Sequence, residues 1–318
     1  MNKQNTPQPR TFQERLRAGR FVMTAEVTPP LSCDPEDLFH KAAPLRGLAD
    51  AVNVTDGAGA RAHMGALAAA AILNQAGIEP ILQLACRDRN RIALQSDLMG
   101  AAALGIRNLM LLGGDDPKAG DQPETKAVFD IDSKALIETA RRLRDDGTLP
   151  SGRRVAGSAA FLIGAADVPI DPPAGWQPTA LAAKVAAGAQ FAQTQFCMDA
   201  SIVRRYVAAL VAAGLTQQRL ALLIGVTPLR SAKSARWMKE RLFGTIIPDT
   251  LIARMEQAAD PAREGVRFCV ELIEELSTIP GVAGVHIMAP GNDAAIPEVI
   301  EAARPKVEGA APYDNASN

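Results

Sequence analysis

The sequence predicts an α/β protein built as a closed (β/α)8 TIM barrel, a parallel ring of eight strands. Three observations predict it. From residue 21 onward, eight short apolar or β-branched runs alternate with longer segments of helical period, the pattern of repeated β-α units. Eight such strands can close on themselves, giving every strand two neighbours and leaving no exposed edge. The turn after the first run reads EVTPPLSCD and lacks the G-x-G-x-x-G fingerprint of a dinucleotide-binding open sheet, the alternative architecture.

In chain order the runs are FVMTAEVTP (21–29), DAVNVTD (50–56), EPILQLACR (79–87), NLMLLGGD (108–115), RRVAGSAAF (153–161), FAQTQFC (191–197), LALLIGV (220–226) and GVHIMAP (284–290). Between them the spacing predicts helices in DPEDLFHKAAPL, HMGALAAAAILNQAG, ALQSDLMGAAALG, DSKALIETARRLRDDG, TALAAKVAAGA and ASIVRRYVAALVAAG; several end at the glycine a left-handed C-cap favours. Leu136, Ala140 and Leu143 recur at the spacing of an apolar stripe facing a sheet, and Arg236, Lys239 and Glu240 supply the wet face of a helix after the seventh run. Segments 118–130 and 245–263 exceed ordinary connections and read as lids or binding loops. The barrel, as catalytic domain, is expected over 20–305, between a flexible N-terminal segment at 1–19 and a flexible tail at 306–318.

The chain has 318 residues, 47% of them hydrophobic and 22% charged, a balance that supports a sizeable core. Lys+Arg 34 against Asp+Glu 35 leaves a net charge of −1, so nothing draws the molecule globally to nucleic acid or an anionic membrane. Aromatics at 4% argue against base-stacking platforms, which leaves a small molecule as the expected partner. Cys33, Cys86, Cys197 and Cys269 are scattered without a C-x-x-C pair, and residues 1–19 carry no apolar signal core, so a cytoplasmic protein with reduced thiols is expected.

Polar residues at the carboxyl ends of the strands are the candidates for chemistry, because a barrel of this kind places its site there. Glu26 stands between Ala25 and Val27 on the first strand. A carboxylate is costly to bury there unless it is paired or neutral, which suits either a general acid or a structural ion pair. In NLMLLGGDDP, Gly113 and Gly114 would let backbone pass close to a ligand while Asp115 and Asp116 project at the mouth; the alternative is that DDP caps the next turn. Gln193 and Gln195 share one face of the sixth strand, suited either to a heterocycle edge or to satisfied core amides. Arg87, Arg89 and Arg91, with Asp88 and Asn90, form either an anion site or a solvated loop. His40, His63 and His286 make no His/Asp constellation, so metal and triad chemistry are disfavoured.

Taken together, AEVTPP, NVTDGAGA, QLACRDRN, LLGGDDP, KVAAGAQFAQTQFCMD and GVTPLRSAKSARWM resemble, in order and spacing, the methylenetetrahydrofolate reductase family over roughly residues 21–303. The resemblance implies a flavin-dependent oxidoreductase of one-carbon metabolism that interconverts 5,10-methylene- and 5-methyltetrahydrofolate with NAD(P)H. By position it implies that Glu26 is the general acid that opens the imidazolidine ring, that Asp115 contacts the pterin and tunes the flavin, and that Gln195 binds the folate ring. Thr55, Gln83, Gly113 and Gly114 fall where the family approaches flavin, and Lys184 matches a lysine near its phosphates. The implied flavin is FAD. Gly113 stands where the many-membered bacterial type has arginine, and Gln177, Ala180 and Ala183 stand at its polar flavin contacts, which leaves FMN or a weakly held flavin as alternatives. Two other readings stay open: a pterin-dependent methyl-transfer barrel without flavin, and a subunit active only with an electron-transfer partner. A homo-oligomer is the other expected assembly.

Overall fold

The barrel strands run from β1 (Val22–Val27) through β2 (Ala51–Val54), β3 (Pro80–Ala85), β4 (Asn108–Leu112), β5 (Leu162–Asp167), β6 (Phe191–Phe196) and β7 (Ala221–Val226) to β8 (Val282–Ile287), in a computed structural model that describes residues 11–216 and 220–308. Each strand lies parallel to its sequence neighbour, and β8 returns to β1 with Thr24 opposite His286, which closes the ring. Around it lie α1 (Phe12–Arg17), α2 (Pro35–Ala42), α3 (Ala66–Gln75), α4 (Arg91–Ala103), α5 (Ser133–Asp145), α6 (Thr179–Ala187), α7 (Ala200–Ala212), α8 (Ala232–Arg241), α9 (Asp249–Gln257), α10 (Pro261–Leu276) and α11 (Ile296–Val307). Among the described residues no helix is long and apolar enough to cross a membrane.

Local chemistry starts the helices where they start. Asp34, Asn90, Asp132, Asp199 and Asp260 each accept backbone N–H groups at an N-cap, which satisfies donors that have no partner inside the helix. On α5 the predicted stripe of Leu136, Ala140 and Leu143 is buried, together with Ile137. It joins the large core between the helices and the outer face of the barrel.

Strand alternation divides the lumen into layers. At the amino-terminal end Val22, Ala51, Ile81, Met110, Leu162, Phe191, Ala221, Leu223 and Ala283 form a hydrocarbon floor, into which α1 inserts Phe12 and Leu16. The Phe12 and Phe191 rings meet edge to face at 5.5 Å. Gly164 on β5 makes the room, since a Cβ there would lie 2.3 Å from the Phe191 ring. Above this floor the lumen turns polar, with Thr24, Asn53, Gln193 and His286 all buried.

The structure corrects four expectations of organisation. Residues 11–19 are not loose: Thr11 caps α1 in a reciprocal capping box with Glu14, and Phe12 is fully buried. The fifth strand is 162–167, directly after 153–161, whose residues are mostly exposed and whose Gly157 takes a left-handed φ of +90°. A barrel strand is covered on both faces, a condition that the arginines at 153 and 154 fail. The stretch 245–263 contains α9, and the tail at 306–308 begins inside α11, with Val307 buried. Residues 1–10 and 309–318 of the expected flexible ends lie outside the described residues.

Candidate active site

In β1, β3 and β6 every residue is buried except one: Glu26, Gln83 and Gln195, respectively. The three polar residues thus occupy the only partly open position of an otherwise buried strand, at the mouth end of the lumen. Gln83 donates from Nε2 to Glu26 Oε2 at 3.5 Å, and His286 Nε2 approaches the same oxygen at 3.6 Å. Both separations are long for a hydrogen bond and within reach of one after a small closure.

Below Glu26 the contacts continue as one network. His286 Nδ1 lies 3.0 Å from Thr24 Oγ1, and Gln193 Nε2 donates to the same hydroxyl at 3.0 Å. Gln193 also pairs reciprocally with Asn53, Nδ2 to Oε1 at 2.6 Å and Nε2 to Oδ1 at 3.0 Å. Gln193 is therefore a satisfied core amide. Gln195 turns its Oε1 back onto the Phe196 N–H at 3.0 Å. Sequence reasoning passed over Thr24, Asn53 and His286. Their signal is polarity at the inward-facing positions of apolar strands, but their meeting depends on β8 lying beside β1, which only closure of the ring provides.

Asp115 is not brought to Glu26 by any hydrogen bond or ion pair among the described residues. It is exposed, and its Oδ2 accepts the Gly59 N–H at 2.8 Å, which ties the loop after β4 to the loop after β2. Asp116 caps the turn at Pro117–Ala119 through Lys118 N at 2.9 Å, so the capping alternative holds for that carboxylate. Gly114 has φ +99°, and a Cβ there would lie 2.8 Å from Arg87 Cβ, whereas a Cβ at Gly113 would meet nothing within 4 Å.

The arginines after β3 are all paired with carboxylates: Arg87 is buried, Arg89 half-buried and Arg91 exposed. Arg87 is 3% exposed; it donates to both Asp88 oxygens, at 2.7 and 2.6 Å, and to Gly57 O at 3.1 Å. Hydrogen bonding to Asp88 is the first reason its guanidinium is pushed further toward the charged form. Arg89 spans Asp56 and Asp97, while Arg91 grips Asp130. Asp56 also accepts Ala85 N at 2.8 Å, so these pairs lace the mouth loops together. Burial pushes the neighbouring Cys86 thiol up to about 11 and keeps it protonated.

Thr55, at the end of β2, has a buried Oγ1 without a partner. Lys184 of α6 gives its ammonium to Ala166 O at 2.6 Å. Beside it, burial raises the Asp167 carboxyl, which accepts the Tyr206 hydroxyl proton.

A family model described as methylenetetrahydrofolate reductase matches residues 11–304. The chain belongs to that family. Among curated methylenetetrahydrofolate reductases, a probable NADPH enzyme of Caenorhabditis elegans is 24% identical over 241 residues, covering 73% of this chain and 33% of the relative. The chain thus spans about a third of that relative's length. Solved structures share the barrel at low identity. One is a Clostridium thermocellum protein described as binding two copies of 5-methyl-5,6,7,8-tetrahydrofolic acid (TM-score 0.64, 13% identity, 92% of this chain and 98% of that one). Another is the coenzyme F420 dependent tetrahydromethanopterin reductase of Methanopyrus kandleri (TM-score 0.57, 11% identity, 91% and 99%). At these identities the likeness is one of fold.

Proposed function

We propose that the chain interconverts 5,10-methylene- and 5-methyltetrahydrofolate, using a flavin and NAD(P)H. The observation that carries this reading is Glu26, a carboxyl set at the one open position of β1, above a hydrocarbon floor and contacted by polar groups on Oε2 alone. Membership of the methylenetetrahydrofolate reductase family supports it. So do the descriptions of the two fold neighbours, one a binder of 5-methyl-5,6,7,8-tetrahydrofolic acid and the other a tetrahydromethanopterin reductase.

In the reducing direction Glu26 gives its proton to the ring nitrogen that leaves the methylene bridge. The C–N electron pair goes to that nitrogen and leaves an iminium cation at N5. A flavin bound at the mouth would supply the hydride that turns the iminium carbon into a methyl group. Asp115 contributes negative charge toward the cation. Gln195 reaches the pterin edge once it releases the Phe196 N–H.

The residues at the mouth fit a flavin. Thr55 offers a buried hydroxyl that lacks a partner, Gly113 leaves the space a side chain would fill, with Gly114 next to it, and Gln83 is partly open on β3. Lys184 would reach a phosphate only by leaving Ala166 O and the neighbourhood of Asp167, which favours a weakly held flavin, FAD or FMN, over a tight one. The mostly exposed Leu31 and Phe243 favour a second reading, a subunit that works with an electron-transfer partner. Turnover by the isolated chain with an artificial acceptor would exclude it.

Rapid-mixing kinetics on the flavin-loaded protein test the main reading. Glu26→Gln is expected to slow the folate half-reaction by about 100-fold or more and to leave flavin reduction by NAD(P)H unchanged. Equal loss of both half-reactions would make Glu26 structural.

A further inference from the structure

His286 is a buried imidazole, 3% exposed, that the reading above leaves without a role. One ring nitrogen faces Thr24 Oγ1 and the other faces Glu26 Oε2. The contacts of the hydroxyl favour one of the two nitrogens as the carrier of the hydrogen. Thr24 already accepts the Gln193 amide hydrogen at 3.0 Å, so its own proton must go to an acceptor. Two acceptors are in reach: His286 Nδ1 at 3.0 Å and Val285 O at 3.3 Å. The nearer is the imidazole. With Nδ1 accepting, a neutral ring carries its hydrogen on Nε2 and presents it to Glu26.

The donors then run in one direction, from the Gln193 amide to the Thr24 hydroxyl, to the imidazole, to the carboxyl. Gln83 aims a second N–H at the same carboxyl oxygen from β3. Two N–H groups that face Oε2, each able to reach it after a small closure, make that oxygen the acceptor of the pair. The acidic hydrogen is thereby left to Oε1, which neither group touches. When the proton departs, both N–H groups remain on the oxygen that gains charge.

We infer that His286, in its Nε2–H form and fixed by Thr24 and Gln193, is the positioning residue that turns Glu26 so that Oε1 is the oxygen delivering the proton. The inference rests on the folate reading for its kinetic consequence alone. It adds a residue on β8 to a site otherwise built from β1, β3, β4 and β6. His286 acts through Glu26 and touches no substrate.

Two measurements test it. The first is nitrogen NMR of histidine-labelled protein, with the signals of His286 distinguished from those of His40 and His63 by the His286→Asn variant. The spectrum is expected to show a neutral ring with hydrogen on Nε2, and Thr24→Val is expected to abolish that preference. A ring carrying its hydrogen on Nδ1 would overturn the inference whether or not the chain turns over folate. The second measurement is kinetic. Asn at 286 can keep an amide where Nδ1 lies while removing the group that faces Glu26. His286→Asn is expected to lower kcat of the folate half-reaction by about 10- to 100-fold, part of what a general acid supplies. KM should stay nearly constant and flavin reduction should be unaffected. His286→Gln, whose longer amide can reach Oε2, should recover part of the loss. An unchanged kcat in His286→Asn, or a loss confined to KM, would refute the positioning role. If the wild-type chain turned over no folate, the functional reading would fail while the tautomer result still decided the inference.

Discussion

At the scale of single residues, Gly113 and Gly114 sit side by side under opposite demands. Gly114 has a left-handed backbone and no room beside Arg87, whereas Gly113 opens onto free space. Gly114→Ala should therefore destabilise the fold by about 1–3 kcal/mol, and Gly113→Ala by less than about 1 kcal/mol, as read by urea denaturation. A flavin that packs on Gly113 would make the second variant a binding defect with near-normal stability. Arg87 belongs to the same corner. Removing it as Arg87→Leu strands Gly57 O, while the exposed Asp88 carboxylate is taken up by water, and should cost about 1–3 kcal/mol. The sequence made Glu26 and Gln195 visible because each is a polar residue on a strand with buried apolar neighbours, whereas Gln83 entered through the family resemblance. It hid His286, because a lone histidine on an apolar strand gives no sign of which strand will lie beside it. It also left open whether the arginines were free, since the carboxylates that neutralise them lie up to 39 positions away.

At the scale of elements, α1 is the floor of the site. Its Phe12 ring closes the lumen against Phe191, and its first N–H is held by Glu79 Oε2 at 3.0 Å. Phe12→Ala should cost about 3–5 kcal/mol, a loss that a truly loose N-terminal segment would not produce. Glu79 adds a pH dependence whose sign follows from its environment. Burial raises its carboxyl above the ordinary value of 4.5, although Asn108 and the Phe12 N–H oppose the shift. The folded state thus binds the proton more tightly, so this contribution is complete below pH 4.5 and fades as pH rises through the raised value. Thermal melts across that range should show wild-type Tm falling relative to Glu79→Gln; a constant difference would contradict the assignment. The helices were legible because caps and apolar stripes are local signals. The fifth strand was misplaced because RRVAGSAAF imitates an alternating run, and only its exposure and its left-handed Gly157 disqualify it. The short α1 was missed because six residues carry too little periodicity to read.

At the scale of the whole molecule, eight alternating units and the absence of a phosphate-binding glycine turn were enough to read the closed ring, and six motifs in order were enough to read the family. The layers inside the ring were not legible. Whether an inward residue meets hydrocarbon or a polar neighbour depends on the register of strands far apart in sequence, as in the Asn53–Gln193 pair across the lumen. That layering makes the account specific: an apolar plug below, an amide, hydroxyl and imidazole network above it, and Glu26 at the boundary with the mouth. The central claim is that a reduced folate lies at this mouth with its reacting nitrogen against Glu26. A crystal structure of the protein soaked with 5-methyltetrahydrofolate tests it most directly. The pterin is expected over the β1, β3 and β6 ends, with a ring nitrogen about 2.6–3.2 Å from a Glu26 carboxyl oxygen. A folate bound at the opposite end, in the cavity of about 540 Å³ lined by Arg15, Asp50 and Arg304, would contradict it.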